Sequence, residues 1–345
     1  MDANALTQSL LAGERRSLSR LISWAEDGDP RFARVLAEVY GRVGSGWRVG
    51  VTGPPGAGKS TLANALLEEL RARGETVGVL AIDPSSPFSG GALLGDRIRM
   101  EERTADAGVF IRSMASRGSH GGLARAAVDA CDAMDAFGFD RILIETVGVG
   151  QAEYDVVSAA DTVVVVLCPG AGDGIQAMKA GILEVADVLV VNKADLPGAD
   201  RLVLDLEDAV HTRDIRRGPA SGEGDGSSAA PAWEVPVVAC SAQDGEGVGR
   251  VLEAVDEHRR GFTEAGLAAV RARKRVEQVK RVADEILDEE IWGPRRFGEQ
   301  VETALRNGST PYDVARAIVA SILGPSQGAK AFPTQRPKDP AATGS

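Results

Sequence analysis

Cysteine and histidine are scarce in this chain of 345 residues, and each shortage removes a class of function. The three cysteines, Cys131, Cys168 and Cys240, lie far apart with no paired spacing. They read as small core hydrophobes, not as a disulfide framework or a thiolate metal site. The three histidines, His120, His211 and His258, form no tract and read as surface or structural residues. Basic residues are outnumbered, 39 Lys and Arg against 50 Asp and Glu, for a net charge of −11. A phosphate-tracking surface is therefore not expected, and nucleic acid is excluded as a partner. No run approaches the roughly 20 apolar residues of a membrane helix, so no membrane partner is expected. The opening MDANALTQSLLAG lacks the basic-then-apolar order of a secretory signal. Asp2 and Glu14 also argue against an acid-poor organellar leader, so a cytoplasmic protein is expected.

What is present is an α/β pattern. Short β-branched runs at 47–52, 76–82, 109–112, 141–145, 162–167, 187–191 and 235–240 alternate with amphipathic stretches. Runs that are apolar at every position are buried on both faces, which implies a mainly parallel sheet flanked by helices. Before this pattern, residues 1–45 carry helical spacing (Leu10, Leu18, Leu21, Ile22, Val35, Val39), with Asp29-Pro30 marking a helix start. Residues 46–262 make the nucleotide-binding domain, interrupted at 217–232 by a Gly-, Ser-, Ala- and Pro-rich insertion with almost nothing to bury. A charged helical arm follows at 263–323, where Val276, Val279, Val282, Ile286 and Leu287 recur at helix spacing. That stripe suits packing on the chain's own core or a dimer interface. The tail at 324–345, with four prolines, is expected to be disordered.

The first run ends in Gly53-Pro54-Pro55-Gly56-Ala57-Gly58-Lys59-Ser60-Thr61 and passes into the helical TLANALLEEL. This is G-x-x-x-x-G-K-[ST] in its strand–loop–helix setting. The glycines allow backbone N–H groups to point at phosphate oxygens, and the helix N-terminus adds its positive dipole end. Lys59 can reach the β- and γ-phosphates, and the Ser60 hydroxyl can bind Mg²⁺. The motif specifies a nucleoside triphosphate and leaves the base open.

The run 187–191 closes on Asn192-Lys193-Ala194-Asp195. At the C-terminal end of a buried strand, Asp195 can accept from the guanine ring N–H and exocyclic amine together, which adenine cannot match. Lys193 suits a place along the base plane, and Asn192 ties the loop. Ser241-Ala242-Gln243, after run 235–240, falls where a backbone N–H can meet the guanine carbonyl. Glu145 ends run 141–145 and is followed by Thr146-Val147-Gly148. It is placed for the Mg²⁺ shell, with the Gly148 N–H near the γ-phosphate. Asp83, closing run 76–82, and Asp96, in the segment between two strands, are further candidate carboxylates; a turn or helix cap would account for either. The residue after Gly148 is Val149, and Gln151 is not placed to orient a water, so slow intrinsic turnover is expected.

These motifs together resemble the MeaB/ArgK-type P-loop GTPases. The resemblance rests on GPPGAGKST at 53–61, AIDPSSPFSGGALLGDRIRM at 81–100, IRSMASRG at 111–118, ETVGVGQ at 145–151, PGAGDGIQAMKAGILEVAD at 169–187 and NKAD at 192–195. It implies a homodimeric GTPase with helical N- and C-terminal extensions, the latter helping to dimerise. It also implies a chaperone of adenosylcobalamin-dependent acyl-CoA mutases, typically methylmalonyl-CoA mutase, that gates cofactor loading without binding cobalamin directly. Matched onto the family pattern, Asp83, Asp96 and Glu145 are the magnesium-side carboxylates. The segment 169–179, ending in Lys179, resembles the loop coupling partner binding to hydrolysis. Lys59, Asp96 and Lys179 are the catalytic candidates on this view. Two other classes remain open. A metallochaperone would need clustered Cys or His ligands, and a kinase of the ArgK type would need an acceptor pocket with a catalytic base.

Overall fold

A computed structural model describes residues 2–83, 106–115, 120–146, 159–170, 184–217, 233–292, 297–307 and 309–323. Seven strands form one sheet: β1 (Trp47–Thr52), β2 (Val77–Asp83), β3 (Val109–Ala115), β4 (Arg141–Thr146), β5 (Thr162–Leu167), β6 (Val188–Val191) and β7 (Val237–Ala239). Their spatial order is β3-β2-β4-β1-β5-β6-β7. Every pairing is parallel. The expected strands are thus all present, with ends shifted by at most three residues.

The period-2 geometry of a strand sends neighbours to opposite faces, and here both faces are dry. Ile142 and Ile144 of β4 join one apolar cluster, whereas Leu143 between them joins the other. The first cluster is covered by α1 (Ala3–Leu11), α2 (Arg15–Glu26), α3 (Arg31–Val39), α5 (His120–Phe137) and α6 (Ala199–Arg217). The second is covered by α4 (Lys59–Ala72) and α7 (Val248–Arg260). The N-terminal helices are part of the layer structure: α2 lies against α5, and Glu26 pairs with Arg112 of β3. Arg31, which opens α3, donates its backbone N–H to the Asp29 carboxylate at 2.9 Å, the turn expected of Asp-Pro. Arg217, placed by sequence at the start of the insertion, is the last residue of α6; 218–232 and 324–345 lie outside the described residues.

α8 (Glu264–Trp292) departs from ordinary amphipathic packing. Arg271, Lys274, Arg275 and Gln278, at i, i+3, i+4 and i+7, meet Asp161, the Ala160 carbonyl, Asp132 and Asp129 respectively. The helix docks by its polar face, while Val276 and Val279 are 54% and 66% exposed. This removes the option that those valines pack on the chain's own core. The carboxylates come from α5, where Asp129, Asp132 and Asp135 are spaced by three, and from Asp161 before β5. Arg48 of β1 joins them, donating to Asp132 at 2.7 Å and Asp135 at 3.0 Å. Burial opposes the charge on Arg48, but the two carboxylates outweigh it and hold its pKa above the ordinary value.

The chain divides into two units, Met1–Arg281 and Val282–Ser345. The second holds the end of α8 with α9 (Gly298–Arg306) and α10 (Pro311–Leu323). Helices α9 and α10 pack on each other along a cleft of about 320 Å³ lined by Val301, Ala304, Val314 and Ile318. Among the described residues, no helix is long and apolar enough to cross a membrane.

Candidate active site

β1 lies between β4 and β5. The chain leaves β1 toward one edge, returns to β4, and crosses to β5 on the other side. Such a reversal opens a crevice beyond the C-terminal strand ends, where open α/β sheets bind ligands. The phosphate loop, the Asn192 loop, Asp83 and Glu145 all sit at that end.

The loop after β1 folds through three positive-φ glycines, Gly53 (+145°), Gly56 (+76°) and Gly58 (+89°). Two are also required by close approach. A Cβ on Gly53 would stand 2.1 Å from the Val166 carbonyl oxygen, and one on Gly58 would stand 2.2 Å from Asn192 Nδ2. Lys59 opens α4, is buried, and donates from Nζ to the carbonyls of Gly53 at 2.9 Å and Pro54 at 3.0 Å. The ammonium therefore spans the loop that its backbone N–H groups line. Ser60 donates its hydroxyl to the Glu145 carboxylate, which is buried on β4 in register with Val51 of β1. One residue on, the Thr146 hydroxyl donates to that of Thr52 at 3.0 Å, locking the ends of β4 and β1 together. Sequence reasoning overlooked this pair, although aligning the two runs by their ends would have revealed it.

Asn192 is the junction of the site. Its Nδ2 donates to Ala57 O at 2.9 Å, and its Oδ1 accepts the Ala242 N–H at 3.0 Å. The buried Cys240 thiol also approaches Oδ1, at 3.7 Å. Lys193 adopts φ +57°, the one non-glycine residue there among those described, and its Nζ donates to Gly56 O at 2.8 Å. Asp195 is exposed at the mouth. Ser241 caps the following turn by donating to Asp244 at 2.6 Å, leaving Ala242 buried and Gln243 exposed. The three motifs thus form one hydrogen-bonded frame.

Pro54 is buried and Pro55 exposed in the loop, and Thr61 follows Ser60 in the first turn of α4. Asp83 is the last residue of β2, level with Ala115; its side chain lies outside what is described. Asp96, Gly148 and Lys179 fall wholly outside the described residues. Hard oxygen donors, the Ser60 hydroxyl and Glu145 carboxylate, already meet, which suits Mg²⁺ beside phosphate oxygens. Among the described residues, no group of three or more His, Cys, Asp and Glu side chains can hold a metal ion. The three cysteines are free and buried. Burial pushes the Cys240 thiol up to about 11 and the Cys131 thiol up to about 12, so both stay protonated at neutral pH.

The family described as methylmalonyl-CoA mutase-associated GTPase MeaB matches residues 18–294. A Pyrococcus abyssi protein whose name assigns it as a GTPase is 42% identical over 323 residues, covering 92% of this chain and 96% of that one. The mouse mitochondrial homolog of methylmalonic aciduria type A is 38% identical over 229 residues, covering 65% of this chain and 52% of that one. Among solved structures, one titled as an LAO/AO transport system kinase superposes with a TM-score of 0.64 at 27% identity, covering 93% of this chain and 98% of that one.

Proposed function

The chain belongs to the MeaB family of GTPases, and from that premise we propose that its GTP hydrolysis gates the loading and protection of adenosylcobalamin on an acyl-CoA mutase, with methylmalonyl-CoA mutase the first choice. The enzyme is a GTP hydrolase of P-loop architecture. The observation that carries our assignment of the site is the Asn192 junction, because it joins the phosphate loop to both base-reading loops through bonds of 2.9 and 3.0 Å. The mutase rests on the family's description and on the name of the mouse relative.

In this reading the N–H groups of 53–61 cradle the phosphates, Lys59 neutralises the β- and γ-oxygens, and Asp195 selects guanine. The Gly148 N–H meets the γ-phosphate, and Lys193, Ser241, Ala242 and Gln243 complete the base pocket. Ser60, Asp83, Asp96 and Glu145 would hold Mg²⁺, which when bound would supply neutralisation of phosphate charge. Val149, following Gly148, has no polar side-chain atom with which to orient water, so turnover depends on Asp96, Lys179 or the partner. The catalytic domain is 46–262, with helical segments 1–45 and 263–323 on either side. A second copy covering the exposed Val276 and Val279 of α8 makes a homodimer.

The test is GTP turnover with Mg²⁺, measured alone and with a cobalamin-dependent acyl-CoA mutase from the same source. A slow basal rate raised by the mutase supports the reading. A rate the mutase leaves unchanged overturns the chaperone role while leaving the hydrolase intact.

A further inference from the structure

A cavity of about 270 Å³ lies between α8, α5 and the start of β1, at the end of the sheet remote from the phosphate loop. Tyr40, Arg48, Val128, Lys274 and Arg275 form much of its wall. Its polar accounting does not close within the protein. Asp135 accepts the backbone N–H groups of Gly44, Ser45 and Gly46 as well as Arg48. Asp132 is held by the fork of Arg275 at 2.6 and 2.7 Å and again by Arg48. Asp161 is held by the fork of Arg271 and by the Arg48 N–H. These three carboxylates are fully engaged, yet two of the cations facing them, Arg48 and Lys274, are not.

Arg48, with its side chain only 8% exposed, uses Nη2 for both of its carboxylate bonds. Among the described residues, no acceptor meets its Nη1. The Lys274 ammonium has three N–H donors, and among the described residues its one acceptor is the Ala160 carbonyl. Arg48, Arg271, Lys274 and Arg275 thus supply four positive charges against three carboxylates. At the rim stand Arg281 and Glu277, the latter paired with Lys280 at 2.7 Å. Burial holds the Lys274 pKa below its ordinary value, with Asp161 and Asp187 countering only in part. A desolvated amine with spare donors gains most from an added anionic acceptor.

We propose that this cavity binds a small organic anion whose carboxylate or phosphate is received by Lys274 and Arg48. The volume corresponds to roughly nine water molecules at about 30 Å³ each, enough for one charged group with a short apolar tail against Val128. Bound there, the anion ties α8 to β1 and α5 and strengthens the docking of the C-terminal helix.

The test uses the full chain saturated with GDP, so that the phosphate loop is already filled. Inorganic phosphate and butyrate are titrated separately at constant ionic strength set with sodium chloride, and melting temperature and calorimetric heat are read. The expected result is saturable binding of at least one anion, one per chain, weakened tenfold or more in Lys274→Gln. Which probe saturates distinguishes a phosphate from a carboxylate ligand. Hydrogen exchange on the wild-type protein locates the site without a variant, because amides of 271–278 should slow on saturation. Non-saturating responses, Lys274→Gln binding as tightly as wild type, or slowed exchange confined to other segments would each overturn the proposal.

Discussion

Asn192 Nδ2 stands 2.9 Å from Ala57 O, so the residue that opens the 192–195 loop also holds the phosphate loop in shape. With Oδ1 on the Ala242 N–H, one buried amide fixes the relative placement of three segments far apart in sequence. Asn192→Ala leaves the buried Ala242 N–H without its acceptor, a loss of roughly 1–3 kcal/mol. The expected outcome is GDP affinity lower by about five- to a hundredfold and a lower melting temperature. Fluorescent-nucleotide titration and thermal melting check both; unchanged affinity would remove Asn192 from its place as the junction.

Asp195 is exposed at the mouth of the site, which suits a group that meets its partner only when a base arrives. Replacing it with Asn exchanges one acceptor for a donor at the edge facing the guanine amine. GTP affinity should fall by about a hundredfold or more, in line with rejection by a mismatched hydrogen-bonding edge. Xanthosine triphosphate, with a carbonyl where guanine has its amine, should gain relative to GTP. Competitive titration of the two nucleotides on Asp195→Asn reads the exchange directly.

Gly53 and Gly58 were legible in sequence as loop glycines, but the reason each is irreplaceable was not. Gly53→Ala would place a methyl 2.1 Å from the Val166 carbonyl at φ +145°, and backbone cannot move aside cheaply. A methyl on Gly56 would meet nothing within 4 Å, so Gly56→Ala carries only the left-handed backbone cost of about 1–2 kcal/mol. The first variant should lose at least a further 1–3 kcal/mol from overpacking. Urea denaturation of the two side by side should rank Gly53→Ala as the less stable.

The sheet, its parallel sense and the phosphate loop could be read from the sequence because each is a local pattern: apolar runs and Gly spacing. The polar docking of α8 could not. Val276 and Val279 have the spacing of a buried stripe, and nothing in the sequence says that Arg271 and Arg275 face the protein instead. The available signal lay elsewhere, in Asp129, Asp132 and Asp135 spaced by three within an apolar helix. Three acids on a buried helix face require cations, and only a second element can supply enough. The Asn192 junction was half legible, since the motif marks the residue but not its bond to Ala242, which depends on how β7 pairs with β6.

Arg48 and Asp132 are a buried ion pair at 2.7 Å, and removing Arg48 leaves Asp132 with the fork of Arg275 as its cation. Arg48→Met should cost about 3–5 kcal/mol and loosen α8, because Asp132 also holds Arg275. By contrast, Val279→Glu changes a residue that is 66% exposed and should leave the monomer's stability within about 0.5 kcal/mol. If a second copy covers that face, the same change shifts sedimentation toward monomer. Denaturant melts and sedimentation velocity on both variants separate docking of the helix from its use in assembly.

His258 supplies a pH dependence whose sign follows from its surroundings. The ring is buried between Trp233 and Phe262, and its Nδ1 lies 2.9 Å from the Thr162 hydroxyl, which also accepts the Trp47 indole N–H. Burial lowers its pKa below 6.5, while Asp187, 3.6 Å from Nε2, pulls the other way and only in part. The folded chain therefore favours the neutral ring, and the unfolded chain takes up a proton first. Full stability holds above pH 6.5 and declines as pH falls from there toward the depressed folded value, by at most about 1.4 kcal/mol per pH unit. His258→Gln should lower stability at pH 7.5 yet flatten its change between pH 6.5 and 5.5, a window above the main carboxylate titrations. Urea melts of both proteins at pH 7.5, 6.5 and 5.5 test this. Equal slopes would mean that the wild-type ring charges in place, with Asp187 compensating fully for its burial.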